Sequence, residues 1–405
     1  MRTCLLVALL IVAITPAHST TSMTLAQAFT VAWQRQPAAQ AFGERERAVQ
    51  ARRQAADAFT PEPASIELGT RNDRFNSNRG AQEQEVGLIL PLWLPGERSG
   101  AQALADAENT ANNQRLAALR LQFAGELRQT WWAWQMARIE LDLSALRVAS
   151  AGRLRGDVAR RVQAGDLSRA DQHQADGALA TAQVLAAEAE AAAESARYRL
   201  HSLIGMPLPE TSIQSEPAVT KGSEMDAILV HPALRDLETR SEVSQRSLEL
   251  ARARSRASPE IALSSRRERA LSGDAMDQTW KLSLRIPFSS GPRTDARLAE
   301  ANADLIESRS QYEFDKERLV QQLAAARSQL SAANSVLVAA ETRARLASES
   351  RGFFDKSFRL GESDLPTRLR IELEAFEAER QSSRARINLA QSQSAYRQAL
   401  GLLPE

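Results

Sequence analysis

The residues of this chain that could bind a metal ion or carry out acid–base catalysis are few and scattered. The sequence has one cysteine, Cys4, and four histidines, His18, His173, His201 and His231. Asp171 and His173 are close enough in sequence to share a metal ion, but two such groups on a solvated turn are more often surface residues. There is no CxxC or HxxxH spacing, no phosphate-binding loop and no nucleophile elbow. We therefore expect no catalytic residues, no cofactor, no metal site and no enzymatic activity.

Charge is balanced along the chain. Lysine and arginine number 51, aspartate and glutamate 50, and the formal net charge is +1. The basic residues alternate with acids along helical stretches, which is typical of solvated helix faces and not of a nucleic-acid-binding surface. Aromatic residues make up only 5% of the chain, and much of its hydrophobic content is alanine. This composition favours long, closely packed helices over a globular core.

One pattern occurs twice in the sequence. Pro37 recurs as Pro232, and Gly165 recurs as Gly361. In both halves a helix is followed by an alternating strand, a polar loop, a second alternating strand, a Pro/Gly corner and long alanine-rich helices. The period of about 195 residues is much longer than that of a solenoid repeat. It predicts a duplicated structural unit, with a first repeat over residues 20–210 and a second over 211–405.

The N-terminus is typical of a secretory signal. Arg2 supplies a positive charge, residues 5–14 are apolar, and Ala17 and Ser19 give a small-x-small cleavage pattern. The apolar stretch is too short to span a membrane, although a retained anchor is the alternative. We expect residues 1–19 to be removed. Cys4 precedes the apolar stretch, so the mature chain should be free of lipidation and disulfides.

Four short stretches interrupt the helical pattern, at about residues 63–70, 84–94, 258–265 and 277–289, and they alternate with period two. The apolar positions of the two clearest stretches are Val86, Leu88, Leu90, Leu92 and Leu94, and Trp280, Leu282, Leu284, Ile286 and Phe288. Polar residues such as Lys281 and Arg285 occupy the opposite face. Such strands are typical of a transmembrane barrel with its apolar side chains toward lipid and its polar side chains toward a wet interior. An amphipathic hairpin lying over a soluble core is the other interpretation.

Four strands are too few to close a barrel, because the smallest transmembrane barrels have about 8 strands. Open strand edges are not tolerated in hydrocarbon, so a barrel would have to be shared among subunits. Two copies would supply 8 strands and three copies 12, and only the wider barrel would leave an open passage. The strand pattern alone does not decide between them.

Each pair of strands is followed by long helices. The helical pattern runs over residues 98–163, turns near Gly165 and returns to about residue 203; the second half repeats it over 293–359, with a turn near Gly361. At 1.5 Å per residue the first helix would be about 95 Å long. A plain coiled-coil rod is the alternative. We interpret Trp131, Trp132 and Trp134 as a packing layer rather than a ligand-stacking cluster.

These features together resemble the TolC-like outer-membrane efflux family, over nearly the whole mature chain. The segments RLHSLIG (199–205) and YRQALGLL (396–403) are similar to the repeat endings of that family. Residues 161–168, followed by Asp171, resemble its Gly-x5-Asp turn. The segment LPLWLPGERSGAQALADAE (90–108) is most similar to the cobalt–zinc–cadmium branch of heavy-metal efflux.

The resemblance implies a mainly α-helical fold with a transmembrane β part. A homotrimer would form a 12-stranded barrel in the outer membrane and a long helical coiled-coil barrel in the periplasm. It would act as the exit duct of a tripartite efflux system for heavy-metal cations, with an inner-membrane pump and a periplasmic adaptor as partners. A periplasmic coiled-coil structural or adaptor protein, or a duct for drugs or other organic solutes, is the alternative.

The resemblance also implies that the two helical turns form a periplasmic tip, which relatives often close with acidic residues. Asp171 matches such an acid, but Thr367 stands at the equivalent position of the second half, and Asp364 is displaced from it. We therefore hypothesise a closure of mixed Asp/Arg character. The candidate tip and gate residues are Gly165, Asp171, Gly361, Asp364, Thr367 and Arg370.

Overall fold

The computed structural model describes residues 23–207, 215–219, 224–288 and 291–405; the predicted signal at 1–19, with Cys4, lies outside the described residues. The same order of helices and strands occurs in both halves. The elements are α1 (Leu25–Gln34), α2 (Pro37–Asp57), β1 (Ser65–Asn72), β2 (Gln82–Pro91), α3 (Glu97–Gln163), α4 (Arg169–Ile204), α5 (Glu224–Leu229), α6 (Pro232–Ala253), β3 (Glu260–Arg269), β4 (Asp277–Arg285), α7 (Gly291–Arg359) and α8 (Leu365–Ala399).

Helices α3 and α7 are the longest elements of the chain. They contain 67 and 69 residues, so each is about 100 Å long at 1.5 Å per residue. Their bounds agree within two residues with those predicted from the alanine-rich, breaker-poor sequence. No helix among the described residues combines the length and the apolar character that crossing a membrane requires.

The two long helices belong to two successive four-helix layers. In the half nearer the strands the neighbours follow the order α2, α3, α6, α7. In the half nearer the turns the order is α4, α3, α8, α7. Since α3 and α7 run through both layers, they connect the strands rigidly to the distant turns.

The main hydrophobic cluster lies where the two layers meet. Trp131 and Trp132 are both only 1% exposed and pack with residues of α1, α4 and α8. The indole N–H of Trp132 donates a 2.9 Å hydrogen bond to the Ser394 hydroxyl, and the rings of Trp131 and Trp134 pack edge to face at 5.8 Å. The interpretation of these tryptophans as a packing layer is confirmed.

The four strands form one antiparallel sheet in the order β1-β2-β3-β4. Two strands end earlier than the sequence suggests. β2 stops at Pro91 and β4 at Arg285, so Leu92, Ile286 and Phe288 lie beyond the strand ends. Prolines at 91 and 287 lack the N–H that a continuing ladder needs, and Leu94 is buried at only 4% exposure. The expectation that Leu92, Leu94, Ile286 and Phe288 are strand residues is therefore wrong.

The third strand extends further than the sequence suggests. Residues 266–269 were expected in the polar connection, yet they pair with residues 82–85 of β2. The alternation of apolar residues stops at Leu263, so the hydrophobic pattern could not indicate this extension. Arg266 instead forms ion pairs across the strands, 3.1 Å to Glu83 and 3.6 Å to Glu85.

Candidate functional site

One face of the sheet is apolar and exposed. The strand register places its apolar side chains in three adjacent rows across the strands. The rows contain Leu90, Ile261 and Leu284; then Ile66, Leu88, Leu263 and Leu282; then Leu68, Val86 and Trp280. Leu282 is 76% exposed and Trp280 68%. A contiguous apolar surface on this scale indicates contact with lipid or with another protein.

The opposite face of the sheet is strongly charged. Its acidic side chains are Glu67, Glu83, Glu85, Glu260, Glu268 and Asp277, and its basic side chains are Arg71, Arg266, Lys281 and Arg285. Ion pairs join some of these groups, as between Arg285 and Glu260 at 3.6 Å. Acids outnumber bases on this face. The sheet thus separates an apolar surface from a charged, predominantly acidic one.

Within the described parts of the chain, both edges of the sheet are unpaired. β1 and β4 each have a single neighbouring strand, and all eight residues of β1 are exposed. An open edge presents free backbone N–H and C=O groups to another chain. Because all neighbours are antiparallel and the number of strands is even, β4 of one copy can pair with β1 of another in the same antiparallel sense.

The two helical turns have the same backbone geometry. Gly165 and Gly361 follow the ends of α3 and α7 with φ of 83° and 79°. The next amide reverses onto the helix in each case, from Asp166 to the Arg161 carbonyl at 2.8 Å and from Glu362 to that of Ser357 at 2.9 Å. This left-handed helix ending strongly favours glycine, which explains both residues.

The helices that leave the turns begin with equivalent caps in which two side chains exchange places. At the start of α4 the Ser168 hydroxyl accepts the Asp171 N–H at 3.2 Å, and the Asp171 carboxylate accepts the Ser168 N–H at 2.9 Å. At the start of α8 the Asp364 carboxylate accepts the Thr367 N–H at 3.1 Å. A carboxylate therefore caps each helix, from the third helical position in α4 and from the N-cap position in α8.

Alignment of the two halves position by position does not reveal this exchange. Thr367 stands where Asp171 stands in the first half, so such an alignment identifies Asp364 only as a displaced acid. The S-x-x-D and D-x-x-T spacings are both N-terminal capping patterns and could have revealed it. Each turn thus keeps one carboxylate that caps the following helix, in addition to the exposed acids Asp166 and Glu362.

The two tip carboxylates are ionised at neutral pH. Hydrogen bonds from the Ser168 side chain and backbone lower the pKa of Asp171, although the nearby negative charge of Asp364 opposes this shift. Hydrogen bonds from Thr367 lower the pKa of Asp364. The positive ends of the helix dipoles favour the same charged form. The two capping carboxylates therefore place two interacting negative charges at the tip of each chain.

The arginines near the second turn are engaged within the chain. Arg370 pairs with Glu374 at 2.8 Å on the helix surface. Arg368 pairs with Asp355 at 2.5 Å and lies over the buried ring of Phe358, whose ring Arg161 of α3 also contacts. These contacts join the two helical hairpins near their tips. In the described part of the chain no three histidine, cysteine or acidic side chains converge as metal ligands.

The fold matches those of solved outer-membrane channels over nearly the full chain. It is similar to CusC, whose structures concern folding and transmembrane channel formation, with a TM-score of 0.78 and 15% identity over 94% of this chain and 93% of that chain. It is similar to the outer-membrane channel CmeC of Campylobacter jejuni, with a TM-score of 0.76 and 14% identity over 93% and 85%. The outer-membrane channel MtrE of Neisseria gonorrhoeae matches with a TM-score of 0.74 and 16% identity over 93% and 89%.

No protein-family model and no curated protein sequence matches the chain. The sequence identities to these solved structures are only 14–16%, so the similarity shows that the fold is shared and does not by itself show a shared function. The predicted fold class, mainly α-helical with four strands in a twice-repeated order of helices and strands, is confirmed.

Proposed function

We propose that three copies of this chain form an outer-membrane channel that serves as the exit duct of a tripartite efflux system. The two-faced sheet with its unpaired edges carries this proposal. Three copies would supply 12 strands, enough for a closed barrel around an aqueous passage. The lipid-facing strand residues would include Val86, Leu88, Leu90, Trp280, Leu282 and Leu284. Leu92, Ile286 and Phe288 would extend the apolar surface past the strand ends toward the helices.

The helical layers support the same assembly. In the layer nearer the turns, α4 and α7 are the outermost helices of the chain. Both expose large apolar residues, which include Val184, Leu185 and Tyr198 on α4 and Val336, Val338, Leu346 and Phe353 on α7. Packing of α7 from one copy against α4 of the next would bury them and close a helical barrel below the strands. The same three copies would thus close both parts of the duct.

The length of the helices defines where partner proteins would bind. The turns lie about 100 Å from the strands along α3 and α7, so the tips at Gly165 and Gly361 would reach deep into the periplasm. There they would meet a periplasmic adaptor and an inner-membrane pump. A passive duct needs a polar lumen and a gate, and no catalytic residues.

We propose heavy-metal cations as the cargo. The resemblance of residues 90–108 to the heavy-metal branch supports this. In the proposed barrel the charged face of the sheet would line the lumen as its inward face, and the apolar face would be the outward face. The excess of acids on the inward face would attract cations. Deletion of the gene should lower the inhibitory concentrations of zinc, cobalt or cadmium severalfold, while a panel of drugs is unaffected. Copper and silver belong in the same screen, and the plasmid-borne gene should restore growth. Sensitivity to drugs alone would contradict this cargo without contradicting the duct.

We further propose that Asp171 and Asp364 restrict the closed tip. Asp171→Ala should make the channel leakier in planar bilayers, because it removes a charge and a helix cap together. Ser168→Ala is the control, since it removes the hydroxyl cap but keeps the charge.

Because the pKa of Asp171 is lowered, the cap contributes fully at neutral pH and weakens as the pH falls below the ordinary aspartate value of 3.8. Unchanged conductance in both Asp171→Ala and Asp364→Ala would contradict the proposal that these carboxylates restrict the closed tip.

A further inference from the structure

We propose that Arg267 and Arg269 form a binding site for the phosphate groups of lipids in the outer leaflet. The inference rests on the proposed function, because it requires the apolar face of the sheet to contact lipid. It goes further in assigning a lipid head-group chemistry to two named side chains.

Charges are segregated between the two faces of the sheet. All acidic residues of the four strands lie on the inward face, with Glu85 and Glu268 among them. On the outward face the charged strand residues are Arg267 and Arg269. The charged strand residues of the outward face are therefore all cationic, and an anionic partner complements them.

The two arginines lie at the depth of lipid head groups. Arg267 shares a row with Gln84 and Gln278, immediately beyond the row that contains Trp280, and Arg269 lies one row further out. Successive rows are about 7 Å apart along a strand. Trp280 at the end of the apolar band is typical of the aromatic girdle at a membrane interface. The helices leave the sheet at its other end, so this end faces the outer leaflet.

Both side chains are available to a ligand. Arg267 is exposed and Arg269 half-buried. Arg269 is oriented by a 3.2 Å hydrogen bond from its Nε to the Gly80 carbonyl. Arg267 makes a long contact of 3.4 Å to Gln278. Neither forms an ion pair with a carboxylate within the described ranges of the chain.

Assembly would leave the site uncovered. β3 lies between β2 and β4 of the same chain, so strands from other copies would pair at β1 and β4 and not over β3. A planar guanidinium presents paired donors that match phosphate oxygens. Three such sites would surround the barrel at one depth.

The test compares lipid binding to purified full-length protein in neutral detergent, measured by native mass spectrometry. The probes are bis-phosphorylated lipid A and phosphatidylcholine, with inorganic phosphate as a separate competitor. Arg267→Gln/Arg269→Gln should weaken lipid A binding by about fivefold per arginine removed, with phosphatidylcholine binding unchanged. Lys281→Gln/Arg285→Gln is the matched control, because it removes two positive charges from the inward face.

The outcomes separate this inference from the duct. Equal lipid A binding by wild type and Arg267→Gln/Arg269→Gln, or an equal loss in Lys281→Gln/Arg285→Gln, would overturn the lipid site. Displacement of lipid A by millimolar phosphate would show a free-anion site and would also overturn it. Conductance in phosphatidylcholine bilayers tests the duct independently. A protein that conducts but binds lipid A equally well without the two arginines would contradict the lipid site and leave the duct supported.

Discussion

Leu282→Arg should abolish the assembled channel, whereas Ser283→Arg, one residue further along the same strand, should leave it intact. Leu282 lies in the middle apolar row of the sheet and is 76% exposed. An arginine facing the middle of a bilayer destabilises a barrel by about 2–4 kcal/mol, and a trimer would contain three of them. Ser283 points to the inward face, in a row with Ala262, where an arginine remains hydrated.

The pair of variants separates the two interpretations of the sheet. We would measure the amount of oligomer extracted from the membrane fraction, by blotting after mild detergent treatment. Loss for Leu282→Arg with normal amounts for Ser283→Arg fits a transmembrane barrel. Equal recovery of both variants from the soluble periplasm would contradict lipid contact and would favour an amphipathic hairpin on a periplasmic protein.

Glu216→Gln should destabilise the helical part by about 3–5 kcal/mol, because it leaves the buried Arg128 without its counter-charge. Glu216 belongs to the connection between the repeats and is only 2% exposed. Its carboxylate receives two hydrogen bonds from Arg128 of α3, at 2.9 and 2.7 Å. Arg397 of α8 approaches to 3.4 Å. One side chain thus joins the inter-repeat connection to both halves of the duplicated unit.

Thermal unfolding of the detergent-solubilised protein would measure this effect. Glu374→Gln is the matched control, since the Glu374–Arg370 pair is exposed and should contribute at most about 1 kcal/mol. Replacing both Arg128 and Glu216 by methionine should cost less than Glu216→Gln alone, because no unpaired charge of that pair remains. Equal stability of Glu216→Gln and Glu374→Gln would show that the buried ion pairs of Glu216 contribute no more to the stability of the fold than an exposed pair does.

The long helices and their turns follow directly from local sequence. Alanine-rich stretches with few breakers predict α3 and α7 within two residues, and the glycines at 165 and 361 are needed by the left-handed backbone that ends each helix. The apolar alternation likewise predicts β4, because one face of it has no polar residue between Trp280 and Leu284.

Features that depend on pairing between distant segments were not predictable. The polar end of β3 is a strand because β2 lies beside it, and nothing in residues 266–269 alone indicates this. Glu216 is buried through contacts with residues 88 and 181 positions away, so its neighbours in sequence give no sign of its role. The capping role of Asp364, by contrast, is local, and the D-x-x-T spacing of the second turn indicates it.

The proposed duct has one decisive test, the mass and conductance of the full-length protein extracted from the outer membrane. We expect native mass spectrometry to give three copies of the chain, and the same preparation to produce discrete conductance steps in planar bilayers. A monomer in the soluble periplasm, or a two-copy assembly without conductance, would contradict the proposal that three four-stranded sheets close one barrel.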